Sequence, residues 1–73
     1  MKLSIYFIEA TFGNLGDLYV VREFSEKAAR ERVRGKMQQR VRRAGRRPGK
    51  VRTKLTLQYD AGPKTKPGIK RIS

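Results

Sequence analysis

The sequence predicts a small α+β domain of ββαβ order, in which a three-stranded, mostly antiparallel sheet carries one basic helix and is followed by a flexible C-terminal tail. Three patterns favour this fold: two strand-like runs at the N-terminus, a central apolar stripe with helical spacing, and a strict alternation after it. The length of 73 residues allows one domain. We place that domain at residues 1–60 and a basic tail containing proline and glycine at residues 61–73.

The first two strands are predicted to form a β-hairpin. Residues 3–12 and 18–21 are rich in β-branched and aromatic side chains, and the turn formers of residues 13–17 separate them. The first strand is apolar on both faces, which is typical of a central strand or of a strand that presents one face to a partner.

The two apolar faces of the hairpin allow two interpretations. The first assigns to the core Leu3, Ile5, Phe7, Val20 and Phe24. The second adds an exposed patch or edge that docks onto another protein, formed by Tyr6, Ile8 and Tyr19.

A single helix is predicted from Glu26 to about Arg43. Ser25 is a good N-cap, and the negative charge of Glu26 in the first turn suits the helix dipole. Gly45 can supply a left-handed C-terminal cap, whereas Gly35 costs about 1 kcal/mol relative to alanine in a helix interior. The stripe that would pack on the sheet consists of Ala29, Val33, Met37, Val41 and Ala44.

A basic turn at residues 46–50 leads into the third strand, which is predicted at residues 51–59 because apolar and polar residues alternate strictly there. One face of this strand would be basic and polar. Its other face would belong to the core and would hold Val51, Thr53, Leu55, Leu57 and Tyr59.

The C-terminal segment is predicted to be a charged tail. From Asp60 onward, Gly62-Pro63 and Pro67-Gly68 break the strand pattern, and four lysines and arginines add positive charge. Two residues of this tail could anchor it, namely Ile69 and Ile72.

Positive charge is concentrated in residues 27–54, which hold thirteen lysines and arginines against one acid, Glu31, in a chain of net charge +13. Such a block is either a solvated surface or a surface for phosphates or an acidic partner, and its density favours non-specific contact with RNA or DNA. Sequence-specific base recognition is not supported, because no known recognition motif is present. The candidate binding residues are Arg40, Arg42, Arg43, Arg46, Arg47, Lys50 and Arg52.

The composition argues against catalysis. The chain has neither cysteine nor histidine, so the commonest metal ligand, the commonest general base and any thiol nucleophile are missing. We therefore expect no enzyme activity, no metal and no cofactor. No run approaches the roughly 20 apolar residues of a membrane span, and we expect a cytoplasmic protein without membrane contact.

Three stretches carry a resemblance: the opening MKLSIYFIEATFGNLGDLYVV, the basic run RVRGKMQQRVRRAGRRPGK and the ending GPKTKPGIKRIS. Together they resemble a small basic RNA-polymerase-binding transcription regulator of a lytic Xanthomonas bacteriophage. The resemblance implies binding to the N-terminal region of the polymerase β′ subunit near the RNA exit channel, with the β flap region as a further candidate contact. It also implies inhibition of host initiation by displacement of the σ factor, antitermination at intrinsic terminators, and a monomer in the cytoplasm of the host bacterial cell.

Two hypotheses of different classes remain open. A polymerase-binding regulator should form a complex with isolated polymerase that survives nuclease treatment. A non-specific RNA- or DNA-binding protein, or a ribosome-associated structural protein, should instead bind bare nucleic acid with a steep dependence on salt.

Overall fold

A computed structural model describes residues 2–47, 49–62 and 66–72. The elements in chain order are β1 (Ser4–Phe12), β2 (Leu15–Glu23), α1 (Glu26–Arg43), β3 (Arg52–Asp60) and β4 (Gly68–Arg71). The strands form one sheet in the order β3-β1-β2-β4, and every neighbouring pair is antiparallel. The α+β class and the single helix are confirmed, whereas the prediction of three strands is wrong, because the described residues form four.

β1 and β2 form the predicted hairpin at the centre of the sheet. Phe12 lies opposite Leu15, so the turn consists of the two residues Gly13 and Asn14. Gly13 has a φ of +60°, which a two-residue hairpin turn of type II′ requires at its first position and which glycine adopts without strain.

The helix covers the face of the hairpin opposite to the one we expected. The covered face contains the buried residues Tyr6, Ile8, Ala10, Tyr19 and Val21. The docking patch predicted at Tyr6, Ile8 and Tyr19 is therefore wrong, because these side chains form the core under α1. Both faces of β1 are apolar, so alternation alone could not tell which of them the helix covers.

The residues predicted to be the hairpin core lie mostly on the uncovered face. Leu3 is buried as expected, but Ile5, Phe7 and Val20 are only partly buried. Phe24 follows β2 and is 46% exposed. The prediction of a buried core is thus wrong for Phe24 and holds only in part for Ile5, Phe7 and Val20.

α1 matches its prediction at both ends. The Ser25 hydroxyl accepts a hydrogen bond from the Ala28 backbone N–H at 3.2 Å. Gly45, with a φ of +75°, donates to the carbonyl of Arg42, and Arg46 donates to the carbonyl of Val41. This pair of bonds is a Schellman motif, and it ends the helix. The predicted stripe is buried from Ala29 through Val41, whereas Ala44 is the exposed C-cap residue.

A β-bulge in β3 overturns the predicted alternation of that strand. Leu55 lies opposite Ile8 and Leu57 lies opposite Phe7, so Thr56 is an extra residue, and its hydroxyl donates to the Phe7 carbonyl at 2.9 Å. The bulge moves every residue after it to the other face. Leu57 and Tyr59 are consequently exposed, although we expected them in the core with Val51, Thr53 and Leu55.

Residues within the predicted tail complete the sheet. Gly68–Arg71 pairs with β2, and the Ile72 backbone N–H donates to the Leu18 carbonyl at 2.8 Å. Ile69 packs against the core, as its predicted anchoring role requires. The tail prediction is wrong for residues 68–71. Residues 63–65 and Ser73 of the predicted tail, and the predicted turn residue Pro48, lie outside the described residues. Among the described helices, none is long and apolar enough to cross a membrane.

Candidate binding surfaces

The segment that follows α1 lies near the tip of the hairpin, because a Cβ added to Gly13 would be 3.5 Å from the Arg46 guanidinium. The Gln38 side-chain amide donates to the Gly49 carbonyl, which holds the connection to β3 against the helix. Gly49 also lies so close to the Phe12 ring that an added Cβ would be 2.8 Å from it. The exposed cations between the last turn of α1 and the start of β3 are named the basic end, which consists of Arg42, Arg43, Arg46, Arg47 and Lys50.

Arg40 and Arg52 do not belong to the basic end, although the sequence grouped them with it. The Arg40 Nε lies 2.7 Å from a carboxylate oxygen of Asp17, a distance for an ion pair, although the N–H is not aligned for a hydrogen bond. Arg52 lies in β3 opposite Thr11, on the sheet face that α1 does not cover. The charge block is thus divided between two sides of the molecule.

Three arginines of α1 hold the helix in place. Arg30 pairs with Glu26 and donates to both the carbonyl and the hydroxyl of Thr53 in β3, at 2.9 and 2.8 Å. Arg32 pairs with Glu23, and its guanidinium lowers the pKa of that carboxyl. Together with Arg40 and Asp17, these pairs fix both flanks of the helix on the sheet.

A buried network lies where Arg40 meets the sheet. The Asp17 side chain is 1% exposed and accepts a hydrogen bond from the Tyr19 hydroxyl at 2.9 Å. Burial, followed by that hydrogen bond and the charge of Asp17, raises the pKa of Tyr19 to about 12, and the charges of Arg71 and Arg40 oppose the rise. Arg40 thus neutralises a carboxylate that would otherwise be buried without an opposite charge beside it.

An open pocket of about 420 Å³ lies beside this network, between the second half of α1 and β4. We call it the cationic pocket, and its charged and polar lining consists of Tyr19, Lys36, Gln39, Arg40, Arg43 and Arg71. The sequence analysis did not identify Lys36 and Arg71 as binding residues, because nothing in the local pattern shows that β4 lies beside the helix.

The uncovered side of the sheet carries an apolar surface among charged residues. Phe7 and Tyr59 stack with ring centroids 5.9 Å apart, and Leu57 lies opposite Phe7 with 60% of its surface exposed. We call this surface the open face and define it by Ile5, Phe7, Val20, Leu57 and Tyr59. The open face lies on the side of the sheet opposite to Tyr6, Ile8 and Tyr19, where the sequence analysis expected an exposed patch.

Comparisons of the chain with protein-family models, with curated proteins and with solved structures found no match. The resemblance to the phage regulator therefore stays a prediction. Within residues 2–47, 49–62 and 66–72, no group of three acidic side chains could hold a metal ion.

Proposed function

We propose that this chain is a phage-encoded transcription regulator that binds host RNA polymerase at the N-terminal region of the β′ subunit, near the RNA exit channel. It acts by binding and not by catalysis, as a monomer in the host cytoplasm. Binding displaces the σ factor, which inhibits host initiation, and it promotes antitermination. The resemblance of the three sequence stretches supplies the identity of the partner.

The open face is the observation that supports a protein partner most strongly. In an antiparallel sheet with one covered face, the second face is normally polar because it contacts water. Here that face carries the stacked rings of Phe7 and Tyr59 and the exposed side chain of Leu57. A contiguous apolar surface of this kind is typical of a site for another protein.

Charges around the open face favour an acidic partner surface. Arg52 and Lys54 lie on this side of β3, Arg22 lies on this side of β2, and Glu9 is opposite Lys54. A partner with an apolar centre and an acidic rim would complement this arrangement. The basic end would remain free to contact the RNA that leaves the polymerase.

The basic end also favours a second candidate, a non-specific RNA- or DNA-binding or ribosome-associated protein. Its five cations are exposed and form no ion pair among the described residues. Cations of this kind can bind phosphates without any protein partner. This candidate gives no role to the open face.

Binding to nuclease-treated core polymerase separates the two candidates. We expect the parent protein to form a stable complex with the purified, nucleic-acid-free enzyme. The double variant Leu57→Ser/Tyr59→Ser should bind about tenfold more weakly or worse, because buried aromatic and aliphatic anchors dominate protein interfaces. Both side chains are largely exposed in the free protein, so the variant should still fold.

A matched control is Phe24→Ser, which removes a half-exposed aromatic ring outside the strands and should change the affinity less than about twofold. The same proteins should be compared in σ-dependent initiation and in read-through of an intrinsic terminator. Failure of the parent to bind nucleic-acid-free polymerase would refute the regulator. Parent-like binding by the double variant would refute the role of the open face.

A further inference from the structure

We propose that the cationic pocket between α1 and β4 is a phosphate-binding site for a nucleotide or for one phosphate of an RNA strand. The site is distinct from the open face, which lies on the other side of the sheet, and phosphate binding there requires no polymerase. Its failure would leave polymerase binding by the open face untouched.

The pocket exists because the helix does not cover the whole sheet. α1 packs mainly on β1 and β2, while β4 is the outermost strand next to β2. Arg71 lies opposite Tyr19, so both belong to the helix-facing side of the sheet. Lys36 and Arg43 lie two turns apart on the α1 flank that faces β4. Cations from two distant parts of the chain thereby surround one space.

The charges in the pocket are not balanced by the protein. Four cations line it, and the carboxylate of Asp17, which pairs with Arg40, leaves an excess of three positive charges. Among the described residues, the side chains of Lys36, Arg43 and Arg71 make no ion pair or hydrogen bond. Three unpaired cations around one pocket repel each other, and a bound anion would remove that repulsion.

Phosphate matches this site better than a single carboxylate does. A phosphate monoester carries up to two negative charges and offers three strong acceptor oxygens, whereas one carboxylate carries a single charge. A phosphodiester within an RNA strand also carries a single charge, but its neighbouring phosphates add theirs. The planar guanidinium groups of Arg43 and Arg71 can each contact two phosphate oxygens, and Lys36 adds a point charge. The volume of about 420 Å³ is within the range of small-ligand pockets and can admit a nucleotide.

A phosphate bound to Arg71 should also stabilise the pairing of β4. β4 has four residues and pairs in the sheet with β2 alone. A phosphate that contacts both Arg71 and Arg43 would connect β4 to the helix across the pocket. Phosphate binding should therefore slow backbone hydrogen exchange at Lys70 and Ile72, whose N–H groups point towards β2 in the antiparallel ladder.

The test is an NMR titration of the full chain with adenosine monophosphate at constant ionic strength, monitored at the arginine Nε–H signals. Arg71→Gln should weaken binding about tenfold, because it removes a charge-assisted contact. Lys70→Gln is the matched control: it makes the same charge change one residue away, opposite Val20 on the other sheet face, and should cost less than about twofold.

Because the Arg71 substitution also changes β4 itself, a second pair of variants tests the pocket from the α1 side. Arg43→Gln should weaken the binding of adenosine monophosphate about tenfold, and Arg34→Gln, at an exposed helix position outside the pocket, should not. Equal losses in the pocket variants and their controls would show diffuse charge attraction and overturn the proposal. So would equal binding of uridine, which lacks a phosphate.

Three further probes distinguish the source of the phosphate. Inorganic phosphate that binds as tightly as adenosine monophosphate, with the same dependence on Arg71, supports a site for free phosphate. An octameric uridine RNA that binds much more tightly, with that dependence kept, supports a strand as the ligand. A glutamate-rich peptide that binds through Arg71 more tightly than all of these would overturn the phosphate assignment in favour of an acidic protein segment.

Discussion

Val33 illustrates how much of the stability rests on single residues of the helix stripe. Its side chain is fully buried between α1 and the sheet. A domain of this size has a stability of roughly 3–5 kcal/mol, and burying an unpaired carboxylate costs a comparable amount. We expect Val33→Asp to have no cooperative thermal transition by circular dichroism. Gln39→Asp, at an exposed position of the same helix, should keep one.

Glu23 should make the stability depend on pH in the acidic range. Its pKa is lowered, chiefly by the hydrogen bond from Arg32, so its contribution is present at neutral pH and is lost as the pH falls below about 4.5. Glu23→Gln should therefore lower the free energy of unfolding by about 1 kcal/mol at pH 7. The difference from the parent should vanish in acid.

Urea unfolding at a series of pH values measures this effect. Glu31→Gln is the control, because Glu31 is an exposed acid of α1 that makes no ion pair among the described residues. A constant gap between the parent and Glu23→Gln across the acidic range would contradict the assigned role of Arg32.

Substitution by alanine should have opposite effects on stability at Gly35, inside α1, and at Gly45, just after its end. Gly35 has open space around it in the helix interior, so Gly35→Ala should raise the stability by about 1 kcal/mol. Gly45 has a left-handed φ, so Gly45→Ala should lower it by a similar amount. Thermal unfolding should show shifts of opposite sign, each about 4–8 °C. Stabilisation by Gly45→Ala would contradict the left-handed cap, and destabilisation by Gly35→Ala would contradict the open space at Gly35.

The bulge in β3 separates two leucines that the sequence pattern treats alike. Leu55 packs against the core, and Leu55→Ala should cost about 1–2 kcal/mol. Leu57 is on the open face, and Leu57→Ala should change the stability by less than about 0.5 kcal/mol. Urea unfolding compares the two directly. Equal losses would mean that Thr56 does not interrupt the alternation.

These elements show which features a single sequence can reveal. The helix, its Ser25 cap and its Gly45 end follow from local chemistry, and they were predicted. The bulge at Thr56 and the choice of covered face depend on how strands pair over long distances, so the alternation of residues 51–59 gave the wrong face for Leu57 and Tyr59. β4 is short and follows a proline, and its pairing with β2 has no local signal.

The candidate site was predictable to a similar extent. Charge density alone identified Arg42, Arg43, Arg46 and Arg47, because exposed cations remain exposed in almost any fold. It could not show that Arg40 is paired with Asp17. It also could not show that Arg71 lies beside α1, because the whole of β3 and both of its connections separate them in the sequence.

The whole molecule combines an apolar surface and a cationic surface on different sides of a very small domain. The net charge of +13 on 73 residues makes the folded state repel itself, and bound anions should relieve this repulsion. An apolar contact, by contrast, is little affected by ions. The salt dependence of binding should therefore distinguish which surface a given partner uses.

Binding should be measured between ~50 and ~200 mM salt for bare RNA and for nucleic-acid-free polymerase. Each phosphate contact adds about 0.7 to the log–log slope for a single strand, so five contacts from the basic end should cost roughly 100-fold over this range. Neutralising Arg42, Arg43, Arg46 and Arg47 to glutamine should keep the fold, because these side chains are exposed, and should reduce the RNA slope by about 3. Binding to polymerase should weaken less than about tenfold in salt, because the open face supplies contacts that ions do not screen. If the affinity for polymerase fell with salt as steeply as the affinity for RNA, charge alone would account for binding. That result would favour the nucleic-acid-binding candidate.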